Sequence, residues 1–573
     1  MPLPSRLMKR LPNLLLLLSG VVLSAGCMLY LVTDRSKLLQ WYDSKGSCYY
    51  RMKSPAFEVL SADVKRQGNI ICIATLLMLP VFFLLLRRCP AASWHKTIQS
   101  FLQIVRRNLL LFTGVTLALL LPQLYWLCAE AFATDEVFSA LNFSGQPLLY
   151  TLTQYPLPNN HIGFNLFAHL IPGSLTQRIY GARVLAMLFY LVHAWLLLGV
   201  LLLHLKDRSL AFWSTLIGMM VFMVAGFGHQ ARGYSLLFLL GFAATYSLYR
   251  IYATGKQEDK GIWYGILAVS NVAGMFVAPS FLYITGFEVL YILAGAVLYR
   301  RFPRALLYSL CLSAIGSALV YVPVMCVSGV QALTGNKYVK PDEALRSHLW
   351  ENMPGHLGVY AFEHSISLPT FTLCILFSVS ALLCGIWLLY TKALKGSLLL
   401  LPACHLLSVI LLSWLLGHLP YGRILGLQMQ LLTLSCFICI GIAIGKIERN
   451  RFSGFLSALC SVAVLWGMFL FYGRWADTRL YDQDTNRHKQ VITERARQFP
   501  PNSQVWLSEE SFMWMAYGNS RINTAYLPCH FSGQSYLVFS DNEDLQPKPE
   551  FIAQYRPLDT AGDYRIWVRK IVR

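Results

Sequence analysis

The sequence predicts an α-helical polytopic membrane protein of about thirteen transmembrane helices, followed by a small C-terminal soluble α/β domain. Three observations carry that reading. Apolar residues make up 56% of the 573-residue chain and charged residues only 13%, against about a quarter charged in an ordinary soluble domain. The apolar residues fall in runs of roughly 18 to 24, the length of helix that crosses about 30 Å of hydrocarbon. From about Gly473 the long runs stop and short alternating segments take over.

The first run, residues 14–32, follows Arg6, Lys9 and Arg10. It is too long for a signal-peptide core and has no small-residue cleavage site followed by a soluble domain, so it reads as a helix. The second, 70–86, is followed by Arg87, Arg88, Lys96, Arg106 and Arg107 with no acidic residue among them. The positive-inside rule puts that loop on the cytoplasmic side. The third run, 109–127, then exits outside. Further runs centre near residues 192, 218, 242, 270, 290, 315, 380, 407, 433 and 463. The two around Pro279 nearly touch, and merging them would invert everything downstream.

Loop charges support this order. The inner loops 204–209, 250–260, 300–304, 392–395 and 446–451 each contain Lys or Arg, and the tight outer turns 226–230 and 417–421 contain none. The long loops 33–68, 128–179 and 328–369 fall outside, as does everything after Phe471. Lys+Arg number 48 against 28 Asp+Glu, a net charge of +20. The excess is explained by topology, and nucleic-acid binding is not expected. Most of the 14 cysteines lie inside apolar runs, where Cys acts as a small hydrophobe. Cys48 and Cys529 lie in outer segments, and there is no CxxC pair or metal-ligand spacing.

Candidate chemistry gathers in the outer segments. Asp135 and Glu136 stand together shortly after the third run, among apolar neighbours. A carboxylate partly withdrawn from water can accept a proton; an acidic helix start behind Thr134 is the plainer reading. Further along the same loop, Pro158, Asn159, Asn160 and His161 open a helix with Asn165 one turn on. That group suits a polar ligand or phosphate, or simply caps an interfacial helix. Arg232 and Tyr234 open an apolar run on the face where the positive-inside rule disfavours Arg. Such an Arg either snorkels to lipid phosphate or binds an anion. Arg423, after Pro420 and Tyr421, repeats the pattern, and two such arginines could clamp a phosphate. The loop carrying Lys337, Tyr338, Lys340, Asp342 and Glu343 is polar and long, a length at which loops tend to be functional.

In order and sidedness these segments resemble the GT-C superfamily of membrane glycosyltransferases. The run Ala231-Arg232-Gly233-Tyr234-Ser235-Leu236 is similar to the Ala-Arg-x-Tyr-x-Leu signature of the protein-mannosyltransferase and aminoarabinose-transferase branch. Pro420-Tyr421-Gly422-Arg423 resembles that branch's late Arg-Tyr-Leu segment, with Gly and Ile around the Arg where the family has Arg-Tyr. The resemblance covers roughly residues 105–573. The family sets its acidic loop after its first helix and here it follows the third, so residues 1–104 read as an added hairpin, 105–472 as the catalytic module and 473–573 as the soluble domain.

The resemblance implies a sugar donor on a polyprenyl phosphate and a lipid, glycan or protein acceptor of a bacterial envelope. It implies an inner-membrane enzyme whose site and tail face the periplasm. Asp135 would deprotonate or orient the acceptor hydroxyl, with Glu136 as second candidate or metal ligand. Arg232, with Arg423 or Lys337, would stabilise the departing phosphate, and Asn160 and His161 would position the donor. Some branches use a divalent metal and others do not, and no all-carboxylate cluster decides between them. The rival classes are a secondary transporter or lipid-linked sugar flippase, and a non-enzymatic scaffold. No inverted repeat is evident, and the unusual polar residues sit at outer helix ends rather than mid-helix. In the tail, strands are expected over 504–507, 536–539 and 564–568, with a helix over 509–517.

Overall fold

Chain in hydrocarbon must satisfy every backbone N–H and C=O internally, so the apolar runs fold as helices. A computed structural model describes residues 5–43, 59–88, 94–130, 132–155, 160–205, 207–253, 261–300, 302–334, 397–417, 422–447, 493–495, 497–500, 504–507, 523–526, 536–540, 555–561 and 564–569. The runs expected near 380 and 463, the tail helix over 509–517, Cys48, Cys529 and Lys337 lie outside the described residues. So does the side chain of Arg423.

The first hairpin is α1 (Ser5–Val32) and α2 (Ala62–Arg88). The basic loop after it forms an amphipathic helix, Trp94–Arg107, whose Phe101 packs edge-on against Phe112 of α3 (Leu109–Ala129). There follow α4 (Leu175–His204), α5 (Arg208–Met219), α6 (Tyr234–Ala253), α7 (Gly261–Val277), α8 (Leu282–Tyr299) and α9 (Arg304–Val320). Two more are α10 (Ser397–Leu416) and α11 (Gly426–Ile447). Five helices are long and apolar enough to cross a membrane, and five shorter apolar ones accompany them among the described residues.

Around Pro279 the two expected spans stay separate. The α7 helix stops at Val277, Ala278 is extended, and Pro279–Phe281 forms a 3₁₀ turn into α8. Gly274 leaves the room that the Phe281 ring takes. The run near 218 differs from expectation, being two pieces, α5 and the short helix Phe222–Gly226. At the break the Met219 carbonyl receives the Tyr190 hydroxyl at 2.9 Å.

The bundle packs α6 on α7, α7 on α9, α8 on α10, α3 on α4 and α5 on α11. Phe112, Leu198, Leu248, Phe281 and Phe287 are buried in its main apolar core. The first hairpin is sewn to later elements rather than merely appended. The Tyr30 hydroxyl donates to the Cys326 carbonyl at 2.8 Å and the Tyr150 hydroxyl to the Tyr42 carbonyl at 2.8 Å.

The tail carries a five-stranded sheet in the order β2-β1-β3-β5-β4, with β1 Gln504–Leu507, β2 Asn523–Tyr526, β3 Tyr536–Ser540, β4 Tyr555–Ala561 and β5 Tyr564–Arg569. The β1 strand pairs in parallel with β2 and β3, and β5 pairs antiparallel with β3 and β4. Ile566 of β5 and Phe499 share one apolar cluster with Val137, Phe138 and Phe164 of the long loop. The sheet therefore packs beside the segment that holds Asp135 and Glu136.

Gly241 marks the junction of α6, α8 and α11, where an added Cβ would stand 2.6 Å from both Ile284 and Leu427. Gly241→Val should lower the thermal midpoint of the purified protein by several degrees, since overpacking costs about 1–3 kcal/mol. An unchanged midpoint would show that the three helices do not meet there.

Candidate active site

The site is built on a buried ion pair. After α3 ends, the chain turns through Ala133 into the short helix Thr134–Ser139. Glu136 in its first turn has a side chain 0% exposed, facing Arg183 of α4, also 0% exposed. Arg183 Nε donates to Oε1 at 2.9 Å and Nη2 to Oε2 at 2.6 Å, the bidentate fork that suits guanidinium to carboxylate. Two backbone amides fill the remaining lone pairs: Ala231 N–H donates to Oε1 at 2.6 Å and Ala133 N–H to Oε2 at 2.8 Å. The second arm of Arg183 donates to the Glu130 carbonyl at 2.8 Å. Three stretches distant in sequence, 130–136, Arg183 and Ala231, are fixed by two side chains.

Asp135 is one residue away and differs in surroundings. Its side chain is 34% exposed, and its Oδ2 lies 3.5 Å from Arg232 Nη2. Arg232 is 2% exposed. Its Nη1 donates to the Asp135 carbonyl at 3.2 Å and to Ser139 Oγ at 3.4 Å, and Nη2 lies 3.3 Å from His161 Nε2. The His161 ring meets Tyr234 edge-on at 4.7 Å, and the guanidinium carbon sits 5.7 Å from the Tyr234 ring centre. Gly233 permits the close approach, since a Cβ there would stand 2.7 Å from His161 Nδ1 and 2.8 Å from Val277. A half-exposed carboxylate beside a buried cation and an imidazole can move a proton and hold an anion.

Asn160 plays a different part. Its Nδ2 donates to the Thr151 and Gln154 carbonyls at 3.0 and 2.6 Å, and its Oδ1 accepts from Asn165 at 3.0 Å. These bonds fold the loop that presents His161. Tyr155 lies in that loop, 2% exposed, its hydroxyl without a hydrogen-bond partner. Burial pushes its phenol well above the ordinary range, with the Tyr234 and Arg232 charges as smaller influences.

Of the expected residues, Asp135, His161, Arg232 and Tyr234 come together, with Glu136 and Asn160 as their saturated supports. Sequence reading missed Arg183, which lies two turns inside α4 and not at its mouth as Arg232 does at α6. It also missed the buried chain below, in which His229 lies against Glu130 through Nε2 and 2.6 Å from Gln123 Oε1 through Nδ1. Among the described residues no three His, Cys, Asp or Glu side chains are grouped to hold a metal ion.

No family model matches the chain, and no curated protein matches its sequence. Solved structures do. The chain is similar to ArnT. The structure of ArnT from Cupriavidus metallidurans in the apo state matches at 10% identity and TM-score 0.47, covering 80% of this chain and 97% of that one. The same protein bound to undecaprenyl phosphate matches at 10% identity and TM-score 0.48, covering 81% and 98%. No residue correspondence follows at that identity.

The ion pair makes a sharp expectation. Arg183→Ala leaves Glu136 buried without its countercharge and should cost about 3–5 kcal/mol of stability. The paired change Arg183→Met with Glu136→Leu should recover a large part of it. Equal thermal midpoints for wild type and Arg183→Ala would remove the bridge from the account.

Proposed function

We propose that the chain is a membrane glycosyltransferase. It moves a sugar from a polyprenyl-phosphate donor to a lipid, glycan or protein acceptor of the cell envelope. The observation that carries this reading is the pairing of half-exposed Asp135 with buried Arg232 and His161 at one end of an apolar helical bundle. The sequence resemblance of the Arg232 helix start to the GT-C signature supports it.

In this reading Asp135 accepts the proton of the acceptor hydroxyl, and the hydroxyl oxygen bonds to the anomeric carbon. The bond from that carbon to the phosphate oxygen breaks, and its electron pair leaves on the phosphate. The transition state has oxocarbenium character. Arg232 receives the growing phosphate charge in surroundings from which water is largely excluded. His161 and Tyr234 hold Arg232 in place and shape the pocket around the donor, with Arg423 and Lys337 as further phosphate contacts. Glu136 positions Asp135 and takes no direct part in the transfer, because four donors already occupy its oxygens. A divalent ion at this site would have to be held through Asp135. The site end is assigned to the periplasmic side of a bacterial inner membrane, on the loop charges.

A transporter or flippase is the second reading, favoured by one observation, the fully buried Glu288 in mid-α8. Transfer of labelled sugar from a synthetic polyprenyl-phosphate donor separates the two. Asp135→Asn should reduce transfer by about 10²–10⁴-fold with folding unchanged, and Arg232→Ala should also abolish it. Full activity in Asp135→Asn would sink the carboxylate assignment. Sugar movement into sealed vesicles with the donor bond intact would favour transport.

A further inference from the structure

Glu288 is a fully buried acidic side chain that the catalytic reading does not use. It lies six residues past Leu282, about 9 Å along α8. Asn271 lies six residues before the end of α7 and Ser313 seven before the end of α9, so three helices bring polar side chains to one depth. Glu288 is 0% exposed and Asn271 2%.

The hydrogen-bond inventory is short of donors. Asn271 Nδ2 donates to Glu288 Oε2 at 2.6 Å and to Ser313 Oγ at 3.3 Å. Ser313 passes its own proton to the Ser309 carbonyl at 2.9 Å, and Ser309 donates to the Tyr264 carbonyl at 2.8 Å. Glu288 Oε1 and Asn271 Oδ1 remain, both buried acceptors without a partner, on two groups already in contact. The arginines on the surrounding elements stand at the opposite helix ends; Arg300 is twelve residues from Glu288, about 18 Å. Arg250 and Arg304 sit at the same level as Arg300, at the last turn of α6 and the first of α9. The titratable groups on the packed helices include Tyr252, Tyr264, Tyr283, Tyr291, Cys404 and His405, with Tyr234, Tyr246 and Tyr249 elsewhere on α6 and Tyr308 and Cys311 on α9. Tyr252 donates to the Ile292 carbonyl at 3.3 Å, and His405 stacks on Phe287 with its Nε2 3.2 Å from Thr245. None of them is paired with Glu288.

Polar glue between helices would need only neutral amides and hydroxyls. A carboxylate with one neutral donor in a dry interior lacks compensation, and intramembrane carboxylates are retained where they bind something. We propose that Glu288 and Asn271 form a binding site for one monovalent positive charge, a proton or a sodium ion, within the helical bundle. The site also has a line to the candidate active site. Two turns above Asn271, Val277 packs under Gly163 and Gly233, whose Cβ positions would lie 3.2 and 2.8 Å from its methyls, beside His161. Loss of the bound charge would loosen the α7–α8 contact directly beneath that packing.

A hydrophobic carbodiimide, which reaches protonated carboxyls from the lipid phase, tests this on the full chain in lipid nanodiscs. Labelling is read by mass spectrometry on the peptide containing Glu288, and thermal midpoints are read in sodium chloride and choline chloride. A proton site is expected to label at Glu288, fade as pH rises and ignore sodium. A sodium site is expected to be protected by sodium, with a midpoint raised several degrees by sodium in wild type and not in Glu288→Gln. Absence of labelling at every pH, together with midpoints that sodium moves in neither protein, would overturn the proposal. Wild-type labelling and its sodium response decide the matter even if Glu288→Gln does not fold.

Discussion

The arrangement at the site end of the bundle depends on the buried contact between Arg183 and Glu136. A fully dry ion pair is expensive to make, because each ion gives up its water. Here that cost is offset by geometry: the carboxylate accepts four N–H donors, and the guanidinium reaches a carboxylate and a backbone carbonyl. The Phe132 ring lies 4.8 Å from the guanidinium carbon and helps to seal the pair. The bonds run from α4 to the end of α3, to the loop helix and to the amide just before Arg232. The longer Arg232 contacts to the Asp135 carbonyl and Ser139 Oγ are the second tie between the loop helix and the start of α6.

That constraint gives the neighbouring residue its direction. Successive side chains on a helix point about 100° apart, so locking Glu136 inward turns Asp135 toward the open side. There it faces Arg232, with a carboxylate oxygen at 3.5 Å. Arg183 instead holds its carboxylate in a fork at 2.6 and 2.9 Å, so the two buried arginines meet their carboxylates in different geometries. The same residue types therefore form a saturated, buried fork in one case and a longer, partly exposed pair in the other.

Much of this was legible in the sequence, for reasons particular residues show. Apolar runs gave the helices because hydropathy and span length are strong, additive signals. Asp135, His161, Arg232 and Tyr234 stood out because each breaks the local composition at a helix end. Arg183 did not, because it sits two turns inside a run that reads as apolar, and its partner is 47 residues away. Glu288 was missed for the same reason: one carboxylate barely lowers the mean hydropathy of α8. The break after Met219 depends on a hydroxyl from another helix, which no local pattern encodes. In the tail, β1, β3 and β5 alternate clearly. The β4 strand contains Pro557 and an irregular register between Pro557 and Asp559 at the sheet edge, where proline is tolerated and the alternation is lost.

The three carboxylates differ by surroundings rather than by type. Asp135 is partly exposed on one side and has a cation on the other, the surroundings that suit the proton-accepting role proposed for it. Glu136 is dry and fully matched by four donors, so its position is fixed. Glu288 is dry and unmatched, with one amide donor and no cation among the described residues. A permanent charge there has nothing to balance it, which is why the inference falls on what Glu288 binds rather than on what it holds together. Sequence distance says nothing of this ordering, since Asp135 and Glu136 are adjacent and lie at opposite extremes of it. What separates them is which side of one short helix each occupies, and the Arg183 contact sets that.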